Sequence, residues 1–74
     1  MSKKNQHIVP SDYQWGIKGE GNKKMTAIFD TQEEAINAGR DIAKNQRSEL
    51  FIHNRKGQIR ERDSYGNDSF PPKG

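Results

Sequence analysis

The chain has no cysteine, so no disulfide can staple it and no cysteine-based zinc site can form. Histidine is nearly as scarce. His7 and His53 are the two present, and neither H-x-x-x-H nor H-x-E spacing occurs, so no metal centre is expected. No apolar run approaches the roughly 18 residues a membrane span needs. Residues 1–5 hold Lys3 and Lys4 with no apolar stretch behind them, so no signal peptide is expected and the cytoplasm is the default compartment. The common catalytic signatures are missing too. No G-x-S-x-G elbow surrounds Ser48. Gly19-Glu20-Gly21-Asn22-Lys23-Lys24 mixes glycine with lysine but fits neither phosphate-loop pattern. Glu33 and Glu34 read as helix-start carboxylates, and Glu61 and Asp63 alternate with Arg60 and Arg62 as on a solvated strand. A short chain also leaves little core in which to cut a pocket of about 300 Å³ or more. Neither enzymatic activity nor a cofactor is expected.

Apolar residues are 28% of the chain against 31% charged, which taken alone leans toward disorder. Their clustering and periodicity argue for a fold. We expect a flexible N-terminus over residues 1–5, a domain over 6–62, and a C-terminal tail over 63–74 packed back on it. A chain of 74 residues buries only about 60% of its unfolded surface, so a dimer interface could add stability.

Gln6-His7-Ile8-Val9-Pro10 reads as a short strand, Ser11-Asp12 as a turn, and the alternation from Tyr13 to Lys18 as a second strand with Tyr13, Trp15 and Ile17 on one face. After a glycine-rich turn, Met25 to Phe29 makes a third strand. Asp30 or Thr31, each with Glu three residues on, starts a helix running to about Asn45. Ala35, Ile36, Gly39, Ile42 and Ala43 share its apolar face. Glu49 to His53 and Gln58 to Arg62 are fourth and fifth strands, joined by a turn at Asn54-Arg55-Lys56-Gly57. The expected fold is α+β: a small antiparallel sheet of four or five strands, β-β-β-α-β-β, with one helix packed on one face. The expected core is Val9, Trp15, Ile17, Phe29, Ala35, Ile36, Ile42, Leu50, Ile52 and Ile59.

With Leu50, Ile52 and Ile59 turned toward the helix, Phe51, His53, Arg60 and Arg62 turn outward, and the connecting turn adds Arg55 and Lys56. That face offers rings for stacking beside cations for phosphate, the combination that single-stranded nucleic acid requires. Lys18, Lys23 and Lys24 extend it if the two hairpins adjoin. The net charge of +3 is a modest basic bias, and Glu49, Glu61 and Asp63 dilute it. DNA or RNA is the leading partner class. The alternative is a protein-interaction or self-associating module, a homodimer for instance, that uses a sheet edge and the aromatic residues Tyr65 and Phe70 beside Pro71-Pro72.

The strings His7-Ile8-Val9-Pro10, Trp15-Gly16-Ile17-Lys18, Asp30-Thr31 with Glu34-Ala35, Ile52-His53 and Ser64-Tyr65-Gly66-Asn67-Asp68 with Pro71 together span almost the whole chain. In these the sequence resembles a family of small prokaryotic proteins of unknown function. The resemblance implies a stand-alone bacterial domain of about this size and supplies no ligand, activity or catalytic residue.

Overall fold

The computed structural model describes residues 4–65. Five strands and one helix follow one another as β1 (Gln6–Ser11), β2 (Gln14–Gly19), β3 (Ala27–Phe29), α1 (Gln32–Gln46), β4 (Glu49–His53) and β5 (Ile59–Ser64). This is the expected α+β order. The strands lie side by side as β3-β2-β1-β4-β5. Three of the four pairings are antiparallel, whereas the central one, β1 with β4, is parallel. A parallel pair needs a long crossover. Here the crossover comprises β2, β3 and α1, and α1 packs across β1, β2, β3 and β4 on one face.

Local chemistry explains the boundaries. The β1–β2 hairpin turns at Asp12-Tyr13, one residue later than the sequence suggests, because Ser11 still pairs with Gln14. Asp12 takes a positive φ of 55°, which Asp tolerates better than most residues. Tyr13 therefore leaves the strand and is 92% exposed. The helix start resolves to Thr31, whose side chain accepts from the Glu34 N–H while the Glu34 carboxylate accepts from the Thr31 N–H. Two of the four orphan donors of the first turn are thereby satisfied. Thr31→Ala is expected to lower stability by about 1 kcal/mol, read as a shifted midpoint with unchanged slope in urea unfolding.

The core is Ile8, Trp15, Ile17, Ala35, Ala43, Leu50 and Ile52, with Phe29, Ile36, Ala38, Ile42 and Tyr65 packed against it half-buried. Gly39 lies where the helix meets the sheet. A Cβ there would sit 2.8 Å from Ile8 Cδ1 and 3.0 Å from Leu50 Cδ1, so glycine allows the close approach.

Two expected core residues lie elsewhere. Val9 pairs with Gly16 on the face away from the helix, and its neighbour Ile8 takes the core position. Ile59 is 56% exposed. The ladder of β4 with β5 slips between Ile52 and His53, so Arg62 pairs with Phe51 and Glu61 with Ile52, but Ile59 pairs with His53. Such a bulge inverts the faces of the residues beyond it. Ile59 shares His53's outer face, and Arg60 is the unpaired residue. The strand also runs past residue 62 to Ser64.

A candidate ligand-binding face on the sheet

One face of the sheet is covered by α1. On the other, the register builds a straight row across four adjacent strands. Lys18 on β2 pairs with His7 on β1, His7 with Phe51 on β4, and Phe51 with Arg62 on β5. Paired residues point the same way, so these four side chains share a face and span roughly 14 Å at the usual strand spacing. The two rings in the middle stack, with centroids 5.0 Å apart and planes 21° apart. A cation stands at each end.

A second set of contacts fixes the rings. His7 Nδ1 lies 3.0 Å from His53 Nε2. His7 Nε2 lies 3.2 Å from Glu20 Oε1, and His53 Nδ1 lies 3.0 Å from the Gly57 carbonyl oxygen. Glu20 is held in turn, since its N–H donates to the Asn5 carbonyl and its Oε1 accepts from Asn5 Nδ2. The loop after β2 folds up beside the histidines. It leaves a shallow concavity of about 340 Å³ lined by His7, Val9, Lys18, Glu20, Asn22 and His53 with Gly19 and Gly21.

The outward residues expected from the sequence divide into two groups. Phe51, His53 and Arg62 stand on this face. Arg60 does not: its Nη1 donates to Gln32 Oε1 at the helix start, 3.1 Å away. The bulge at Ile52/His53 is the reason. Arg55 is engaged elsewhere as well. Its guanidinium donates to the Asp12 and Tyr13 carbonyls and lies 4.8 Å over the Trp15 ring. Lys56 sits exposed in the turn that Asn54 Oδ1 organises by accepting from the Lys56 and Gln58 N–H groups. Lys23 and Lys24 are exposed in the loop after β2.

The carboxylates that dilute the charge in one dimension separate in three. The register puts Glu61 opposite Ile52 and Asp63 opposite Leu50, toward the helix side, where Asp63 pairs with Arg40 at 3.5 Å. Glu49 stays on the outer face and accepts from Ser64 Oγ. Tyr65 packs against the core beside Lys44, whose Nζ is 5.7 Å from the ring centroid. Its N–H donates to the Ser48 carbonyl. Tyr65 thus belongs to the helix side, not to a cover over the outer face. Phe70 and Pro71-Pro72 lie outside the described residues.

His7 and Phe51 form the centre of this face, with Glu20 beside His7. From the sequence, His7 stands out only as a metal ligand lacking partners. A further signal is there, since counting back from the β1–β2 turn places His7 opposite Lys18. Among the described residues no group of three or more His, Asp or Glu could hold a metal ion. His7 explains why: its two nitrogens face opposite ways, one toward His53 and one toward Glu20, so no single ion can meet all three.

A family model for an uncharacterized protein conserved in bacteria (DUF2188) matches residues 6–65. The chain belongs to this family. The DUF2188 match begins and ends with the fold itself, taking in every strand, the helix and all four residues of the row. A curated relative, the uncharacterized protein YdaT of Bacillus subtilis (strain 168), is 29% identical over 66 residues, covering 89% of this chain and 44% of the relative. The chain thus spans less than half the length of that protein. No solved structure matches the chain. No helix among the described residues is long and apolar enough to cross a membrane.

Proposed function

We propose that this chain is a small non-enzymatic binding domain whose ligand is single-stranded nucleic acid, RNA or DNA, laid across the outer face of the sheet. The row Lys18–His7–Phe51–Arg62 carries the reading. Bases have π-faces that stack on aromatic rings without regard to sequence. Phosphates on either side meet Lys18 and Arg62, with Lys23, Lys24 and Lys56 within the same basic surround. Sheets bearing two or three outward rings take unstacked bases in this way in other folds. The shallow hollow beside His7 suits the edge of a base better than an enclosed small molecule, which sites of deep burial serve.

The sheet edges favour this face over strand addition. β5 carries Arg60, Glu61, Arg62 and Asp63 along its length, and charged edges resist pairing with a second chain. β3, the other edge, is three residues long. A protein partner or a second copy is therefore the outcome to consider if nucleic acid fails.

The test is fluorescence anisotropy with labelled single-stranded RNA and DNA of mixed sequence at several salt concentrations. Affinity should fall as salt rises, because each neutralised phosphate releases counterions. The combined Lys18→Ala and Arg62→Ala variant should flatten the log–log slope by about 0.7 for each phosphate no longer neutralised. No binding at tens of micromolar protein in low salt, or an unchanged slope in the variant, would remove nucleic acid as the ligand.

A further inference from the structure

The row contains a hydrogen-bond chain whose hydrogens can be counted. It runs from the Gly57 carbonyl to His53, from His53 to His7, and from His7 to Glu20, with separations of 3.0, 3.0 and 3.2 Å. Both ends are acceptors. A carbonyl oxygen cannot donate, and neither can an ionised carboxylate. Three hydrogen bonds between two acceptor ends require three hydrogens on the two rings. Two neutral imidazoles carry two.

Two arrangements complete the chain. In both, His53 Nδ1 donates to Gly57 and His7 Nε2 donates to Glu20. The third hydrogen sits between the rings, on His7 Nδ1 or on His53 Nε2, so the pair carries one positive charge, and the Glu20 carboxylate beside His7 favours its placement on His7. With one proton fewer, two acceptors confront each other at one of the three links. With one more, His53 Nε2 and His7 Nδ1 are both donors, and the hydrogen bond between the rings breaks.

We infer that His7, His53 and Glu20 form a one-proton switch in the middle of the ligand-binding face. The proton count stands on geometry alone, whereas its consequence for ligand binding rests on the nucleic-acid reading above. Taking up the proton makes the row Lys18–His7–Phe51–Arg62 cationic at three of its four positions. It also places the charged His7 ring against the face of Phe51. The charged and titratable groups facing His7 are Lys18 from β2, Glu20 from the following loop and His53 from β4, with Glu49 further along the outer face of β4 and Arg62 on β5 beyond Phe51. α1 lies on the opposite face. An anionic strand binding here should therefore bind more tightly as pH falls, and should favour proton uptake when it binds.

Glu20→Gln separates the possibilities. A glutamine side chain can donate as well as accept. Its NH₂ can donate to His7 Nε2, which closes the same chain with two neutral rings. Long-range ¹H–¹⁵N NMR of the histidine rings reads each tautomer directly. Across a pH series, His53 should keep its hydrogen on Nδ1. The pair should take up its third hydrogen at higher pH in the wild type than in Glu20→Gln. A hydrogen on His53 Nε2 rather than Nδ1, or identical titrations in the two proteins, would overturn the switch.

Anisotropy at constant ionic strength tests the consequence with the same oligonucleotides. Wild-type affinity should rise roughly tenfold or more toward the acid end, the scale of one added charged hydrogen bond. That rise should flatten in Glu20→Gln. A normal NMR result with no oligonucleotide binding at any pH would retain the switch and reject the nucleic-acid reading. Binding with the same pH dependence in both proteins would reject the switch and retain the ligand.

Discussion

Leu50→Ala should cost about 2–5 kcal/mol of folding stability, the range for truncating a buried leucine where the surroundings cannot collapse. Leu50 is fully buried on β4, and its Cδ1 lies against the backbone of Gly39. Glycine has no side chain to move into the space vacated. The loss is large relative to the whole. At 0.05–0.15 kcal/mol per residue a domain of this size holds roughly 4–11 kcal/mol, so the variant should melt many degrees lower or fail to fold at room temperature. Ile36→Ala and Ile42→Ala should cost less, since both isoleucines are only half-buried at the border of the core. Urea unfolding of the three variants checks the order. A Leu50→Ala loss below about 1 kcal/mol would mean that the helix is not seated on β4.

Phe51→Ala should weaken nucleic-acid binding about 5- to 150-fold, equivalent to the 1–3 kcal/mol that a stacked base is worth. The ring is half-buried and stacks on His7, so it presents an anchored surface rather than a mobile one. The salt dependence should stay near that of the wild type, because every cation remains. This separates Phe51→Ala from the lysine and arginine variants, which change the slope. Phe51→Tyr should restore most of the affinity, since the π-face remains. Equal binding by the alanine and wild-type proteins would show that the ligand does not stack on this ring.

Much of the fold could be read from the chain because local signals agreed with one another. Asp30 or Thr31, each with a glutamate three residues on, marked the helix start, and the alternation of Leu50 and Ile52 with Phe51 and His53 set β4 in the right orientation. Glycine at position 57, with φ at 84°, closed the second hairpin where expected. What escaped was decided by neighbours remote in sequence. Nothing local tells Ile59 that β5 slips by one residue against Ile52/His53, yet that slip moves Ile59 out of the core and Arg60 off the candidate face. Pairing of β1 with β4 is likewise invisible in either strand alone, and it alone brings His7 to Phe51. The candidate site was therefore half legible. Its β4 rings and Arg62 were found, while His7 and Glu20 were not, because their meaning depends on a contact across 46 positions between His7 and His53.

The central parallel ladder also shapes how the molecule comes together. It consists of three residue pairs, from Gln6↔Leu50 to Ile8↔Ile52, with the Asn5 side chain accepting from the Glu49 N–H across 44 positions. Each flanking hairpin can zip from its own short turn. The seam between them is the least local pairing in the sheet, and loop-closure entropy makes it the one expected to form last. The sheet is thus two locally paired ribbons joined along one short line. The row proposed as the ligand-binding face exists in neither ribbon alone, so on this order of events a chain still finishing its fold would lack the proposed site.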